Sequence, residues 1–210
     1  MDIFDNQKPL TFNFREELDT HIISPNGFRE YDFRWLYPDE INKKGLEIFG
    51  FSLGKYISQK KGDGSSIVVG HDYRSYSSEV KYHVAKGLIT SGLNVIDIGL
   101  ALSPMVYYAQ HYLNTDSLAM ITASHNENGW TGIKCGIEKS LTFGPDEVKE
   151  IKGIVDNSND FKAEENASNK YVIKSADNFL IIICLQFEVT ANKFCPNDYP
   201  DHLWMTMFCW

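Results

Sequence analysis

The sequence has little of what marks several large protein classes. Its 4 cysteines, Cys135, Cys184, Cys195 and Cys209, form no C-x-x-C pair and no even framework, so neither a zinc site nor a disulfide scaffold is indicated. No cluster of lysine and arginine offsets the formal net charge of -8, a balance that repels phosphate backbones, and no nucleic-acid partner is expected. The longest apolar run, FLIIICL from Phe179, is too short to span a bilayer. The opening MDIFDNQKPLTFNF lacks a basic n-region and an apolar h-region. These absences predict a cytoplasmic protein with no membrane partner. What is present, 43% hydrophobic and 23% charged residues in 210, suits a soluble globular chain with one good core, or one domain plus part of a second.

Hydrophobic periodicity predicts an alternation of strands and helices. After a polar arm (1–27), FREYDFRW (28–35) alternates apolar and charged residues as a half-exposed strand or extended loop. YPDE then supplies the Pro and acids of a helix start, and Ile41, Gly45, Ile48, Phe49, Ser52, Leu53, Tyr56 and Ile57 recur on one helical face. IVVG, NVIDIG and SLAMITA are short apolar runs bounded by turn residues, the pattern of buried strands, with helices expected at 78–90 and 104–113. GIKCGI reads as one more strand, and a helix through GPDEVKEIKGIVDN closes the domain near residue 156. The fold class predicted is α/β, a mostly parallel sheet with helices on both faces.

In such sheets ligands bind beyond the carboxyl ends of the strands, so HDYRS, LALSP and TASHN, each following a strand, are expected on one rim. Residues 157–210 read as a linker and an irregular tail, not a complete second domain. The tail holds three of the four cysteines and ends on an apolar cluster, Trp204 to Trp210.

In SLAMITASHNENGWTGIKCG (117–136), Ser124 and His125 stand just where the buried run gives out. Ser124 is open to two readings, a turn residue or N-cap after a strand and a nucleophile. The G-x-S-x-G elbow of the α/β-hydrolases is absent, and adjacent residues do not easily face one another across a hydrogen bond, so an acyl-transfer triad on Ser124 and His125 is disfavoured. A serine on an exposed loop near His125 and backbone amides, with Lys134 ten residues on, suits phosphoryl transfer, which needs in-line access, cations and a general acid/base.

TASHNENGWTGIK resembles the active-serine loop of the α-D-phosphohexomutases, the phosphomannomutase and phosphoglucomutase superfamily. FREYDFRW, VVGHDYRSYS and GLALSPMVYYA resemble, in the same order, that family's F-R-x-Y-D-I-R-G, V-G-x-D-x-R-x-S and G-x-x-x-T-P-x-x-Y-x-A. The resemblance covers the family's first domain, residues 28–156. It implies that Ser124 carries a phosphoryl group and passes it to a hexose phosphate, interconverting hexose 1-phosphate and 6-phosphate through a hexose 1,6-bisphosphate. His125 and Lys134 are then catalytic, Lys134 as general acid/base, while Tyr31, Arg34 and Asn126 bind substrate. A structural pairing of Tyr31 or Arg34 with Asp32 or Asp72 is the alternative. Mg²⁺ is the implied cofactor, held by the phosphoryl oxygen on Ser124, and a hexose 1,6-bisphosphate the implied activator.

Two departures stand out: HDYR lacks the commoner arginine before the aspartate, and FRW replaces the usual Arg-Gly. The family's Asp-rich metal loop, sugar loop and phosphate loop have no counterpart in the sequence. The chain is therefore expected to be incomplete and inactive alone. The alternative is a folded non-catalytic fragment of such an enzyme with a foreign or frame-shifted tail. Which hexose is converted, and the oligomeric state, are not legible in the sequence.

Overall fold

In a computed structural model of the chain, the described residues are 21–139, 141–158 and 171–174. Most of the predicted arm, the linker and all of the tail beyond residue 174 lie outside them. The elements run β1 (Phe33–Leu36), α1 (Lys43–Lys61), β2 (Ser66–His71), α2 (Ser77–Thr90), β3 (Asn94–Leu100), α3 (Ser103–Tyr112), β4 (Ser117–Ile121), β5 (Trp130–Gly136), α4 (Pro145–Asp156) and β6 (Tyr171–Ile173).

They build a 6-stranded sheet in the order β1-β5-β4-β2-β3-β6. The β2–β3, β2–β4 and β3–β6 pairs are parallel, as the βαβ alternation requires. The β4–β5 and β5–β1 pairs are antiparallel, so the sheet is mixed. The reason lies in the connection from β4 to β5: residues 122–129 contain no helix, and a parallel return needs a crossover of a dozen residues or more. The strand GIKCGI thus folds back on its predecessor, and the serine loop joins two antiparallel neighbours.

Helices cover both faces. Ile67 and Val69 of β2 join the core built with α1, α2 and α4, and Gly70 faces the other way, where an added methyl would lie 2.8 Å from Val106 of α3. The α1–α2 crossing is close because glycines line it. A methyl on Gly87 would sit 2.0 Å from the Glu47 carbonyl oxygen, and one on Gly50 2.2 Å from that of Val84. Trp35, Phe33, Phe49 and Tyr56 are the largest fully buried side chains.

Two expectations change. YPDE is a turn, with the Glu40 carboxylate accepting the Leu36 N–H at 2.9 Å. Helix α1 starts later, capped by Asn42, whose Oδ1 accepts the Gly45 N–H at 2.9 Å. The sheet also runs past the boundary expected near residue 156, since Tyr171–Ile173 adds to the edge of β3. Three residues are too few to show a period, and this strand is held by its partner: the Tyr171 hydroxyl donates to the buried Asp97 carboxylate, and the Lys174 N–H to the Asp97 carbonyl at 2.7 Å. No helix among the described residues is long and apolar enough to cross a membrane.

Candidate active site

The site is the loop 122–129, held at each end by the strands it joins. The Thr122 N–H donates to the Gly132 carbonyl at 2.8 Å and closes the hairpin. Gly132 is required there: a methyl on it would sit 2.7 Å from the Thr122 carbonyl oxygen and 3.2 Å from Cγ of Arg34, which lies opposite it on β1. At the far end, the Tyr76 hydroxyl accepts the Gly129 N–H and donates to the Trp130 carbonyl, both at 2.8 Å.

Ser124 has φ +56°, the left-handed region that side-chain-bearing residues seldom enter. Its N–H donates to Thr122 Oγ1 at 3.0 Å, and its hydroxyl lies 3.4 Å from Nδ1 of the exposed His125. The two neighbours thus approach one another, against the expectation that they would not, because the left-handed turn brings successive side chains round. The contact is at the long end of a hydrogen bond. No carboxylate is bonded to His125 among the described residues, so an acyl-transfer triad lacks its third member.

Arg34 and Asn126 meet at the base of the loop. The Arg34 guanidinium donates to Asp32 through Nε (2.8 Å) and Nη2 (2.7 Å), and through Nη1 to the Ala123 carbonyl (3.4 Å) and the Asn126 side-chain oxygen. The pairing with Asp32 weighed from the sequence is therefore present, together with contacts that brace the loop. Lys134 stands half-buried on β5 opposite Met120, two residues along from Gly132 and so on the Arg34 face of the sheet. Tyr31, in the turn before β1, is 61% exposed. Arg34 is bonded to Asn126 in the loop that carries Ser124 and His125; among the described residues no hydrogen bond or ion pair joins Lys134 or Tyr31 to that loop.

Arg74 is the loop partner to which sequence reasoning assigned no role. Its Nη1 donates to the Glu127 carbonyl at 2.9 Å, and its Nη2 to the carbonyls of Ser124 (3.2 Å) and Asn126 (2.6 Å). Asp72 anchors it, with Nε at 3.3 Å. The available signal was a repeated tripeptide: Asp32-Phe33-Arg34 and Asp72-Tyr73-Arg74 each place a carboxylate two residues before its guanidinium. Beside Asp72, burial pushes the His71 imidazole below its usual range, although its Nδ1 lies 2.7 Å from the Asp72 carbonyl oxygen.

A Mg²⁺ ion does not fit this constellation unaided. Among the described residues no group of three or more His, Cys, Asp or Glu could hold a metal, and the two carboxylates bordering the loop are bound to arginines.

The family described as phosphoglucomutase/phosphomannomutase, alpha/beta/alpha domain I, matches residues 25–162. The chain is 35% identical over 131 residues to a protein of Pyrococcus abyssi named "probable phosphoglucosamine mutase", covering 62% of this chain and 27% of that one. It is 31% identical over 146 residues to a phosphomannomutase of Vibrio cholerae, covering 69% and 32% respectively. A crystal structure of a phosphoglucomutase/phosphomannomutase family protein from Burkholderia thailandensis shares the fold with a TM-score of 0.66 at 22% identity, over 76% of this chain and 35% of that one. The chain thus spans about a third or less of the length of those curated relatives. With residues 25–162 matched, the chain belongs to the phosphoglucomutase/phosphomannomutase family through its alpha/beta/alpha domain I.

Proposed function

We propose that this chain is the serine-bearing domain of a cytoplasmic phosphohexomutase, with Ser124 as the phosphoryl carrier. The reading is supported above all by one observation: Ser124 sits at φ +56° on an exposed loop whose backbone is gripped by arginines from two different segments. Strained backbone of this kind persists where the surroundings over-determine it, and it gathers at functional sites.

In the proposed step a bond forms between Ser124 Oγ and a phosphorus of a hexose 1,6-bisphosphate, and the bond from that phosphorus to the sugar oxygen breaks. The serine proton leaves to a base, and the sugar oxygen gains one, giving hexose monophosphate and phosphoserine. Run in reverse on the other hydroxyl, the same step exchanges hexose 1-phosphate and hexose 6-phosphate. His125, with Nδ1 3.4 Å from Oγ, is the base that takes the serine proton. Lys134, on the Arg34 face, serves the sugar oxygen, and Tyr31, Arg34 and Asn126 border the substrate.

A second reading is favoured by the charge balance of the site. Arg34 and Arg74 are each neutralised by an aspartate two residues earlier, so few cations remain for a doubly charged phosphoserine. On that reading the chain alone folds but does not turn over.

One experiment addresses both readings. The chain is incubated with glucose 1,6-bisphosphate and mapped by mass spectrometry, alongside a coupled assay with glucose 1-phosphate. Phosphoryl label on the Ser124 peptide, absent from Ser124→Ala, is expected, with no turnover above background. Label that persists in Ser124→Ala places the carrier elsewhere, and turnover that Ser124→Ala abolishes overturns the second reading.

A further inference from the structure

We propose that Arg74 is a positioning residue of the serine loop: its guanidinium, anchored by Asp72, holds three loop carbonyls and keeps Ser124 in the left-handed conformation that presents its hydroxyl. The catalytic consequence rests on the phosphoryl-carrier reading of Ser124; the geometric one does not.

The conformation of Ser124 is itself costly. A serine does not remain at φ +56° unless its neighbours hold it there, because its Cβ crowds the following carbonyl. Rotating the Ser124–His125 peptide back toward an ordinary conformation would swing the Ser124 carbonyl away from Arg74. That motion also breaks the path to the Asn126 and Glu127 carbonyls, since one rigid, planar fork bonds all three.

The fork is itself fixed. Asp72 Oδ1 accepts the Ser77 hydroxyl at 2.6 Å and the Arg74 N–H at 3.2 Å, and the Asp72 N–H donates to the carbonyl of Ile121, the last residue of β4, at 2.9 Å. A continuous set of bonds therefore runs from the first turn of α2 through Asp72 and Arg74 to the loop. Arg34 works from the other side, on Ala123 and on the side chain of Asn126. Between the two arginines, Asn126 is held by both its backbone and its side chain.

Chemistry explains why the residue is an arginine. Its side chain is 13% exposed and paired with Asp72, so it brings little net charge to the loop, and its contribution is directional. A lysine would bring a similar charge but a compact ammonium, which cannot span three carbonyls while keeping the carboxylate.

The test compares the wild-type chain with Arg74→Ala and Arg74→Lys by amide hydrogen exchange at residues 123–130, then by the rate of Ser124 labelling from glucose 1,6-bisphosphate. Exchange in the loop should speed up about tenfold or more in both variants while the α1 amides Leu46–Leu53 keep their protection. Loop exchange within about twofold of wild type in Arg74→Ala, or full restoration by Arg74→Lys, overturns the proposal. If Arg74→Ala loses the α1 protection, Arg74→Gln, which keeps one donor group, carries the same comparison. Labelling should slow by about tenfold or more at saturating bisphosphate, with its concentration dependence unchanged, because the loss lies in orientation. An unchanged labelling rate overturns the catalytic consequence. A wild-type chain that takes no label on Ser124 defeats the carrier reading, and the exchange data alone then decide the clamp.

Discussion

Two polar clusters in this domain use the same chemistry for different ends. At the rim, Asp32–Arg34 and Asp72–Arg74 are ion pairs made within three residues of chain, and the donors left over hold the serine loop. Between α1 and α2, the Glu47 carboxylate accepts from His83 Nδ1 and Lys86 Nζ, each at 2.8 Å, across 36 and 39 residues of chain. That second cluster is buried between the helices that form it. Local pairing leaves a guanidinium free to do something else, whereas a pair assembled from distant segments is used up in joining them. The rim is accordingly where strain can be stored, and the helix interface is where removing one partner is most costly.

The comparison breaks most visibly at Glu47. Glu47→Ala leaves Lys86 and His83 without their shared carboxylate in a buried crossing, and removing one partner of such a group costs about 3–5 kcal/mol. Urea unfolding should show a loss of that order. A loss as small as that of an exposed ion pair would mean that the helix cluster carries no more of the stability than the rim does.

A smaller effect of the same origin is expected in acid. Burial pushes the Glu47 carboxyl up, but hydrogen bonds from His83 and Lys86 outweigh it and hold the group below its ordinary 4.5. A lowered folded value means that the unfolded chain takes up the proton first. The contribution is therefore complete above pH 4.5 and lost as pH falls below that through the folded value. The urea midpoint of the wild type should drop more steeply in this range than that of Glu47→Gln. Parallel acid profiles would remove Glu47 from the account.

The smallest expected effect sharpens the rim side. Ser124→Gly removes the Cβ that makes φ +56° unfavourable, so stability should rise by up to about 1 kcal/mol, the gain being reduced by the greater freedom of glycine when unfolded. Ser124→Ala keeps the Cβ and should show no such gain. A destabilised Ser124→Gly in the same urea measurement would mean that the loop stores no strain at this residue.

The strands and helices of residues 33–156 were largely legible because the helices bury one face each and the central strands β2 and β4 are apolar runs buried on both. The start of α1 was not, since Pro38, Asp39 and Glu40 suit a turn as well as a first turn of helix, and Asn42 decides between them. The loop could be located by its place after a buried strand, but a turn residue suits that place as well as a nucleophile does, and the roles of Ser124, His125 and Asn126 came from the resemblance of TASHNENGWTGIK to the family's serine loop. The grip of Arg74 was hidden: a D-x-R tripeptide announces an ion pair but not which carbonyls its other donors reach.

What the sequence determined by itself is therefore the class of the fold, the order of its elements and the place of the loop, all of which depend on residues near one another in the chain. The tertiary structure alone decided the antiparallel return of β5, the addition of β6 to the edge of β3, the left-handed Ser124 and the convergence of Arg34 and Arg74 on Asn126. The β5 return pairs residues 12 to 18 apart, β6 pairs with residues 76 earlier, and the contacts of Arg74 and Arg34 with the loop span 50 to 92 residues. Local propensity carries no information about such contacts, because hydrogen-bond geometry between distant backbone groups exists only once the sheet has brought them together.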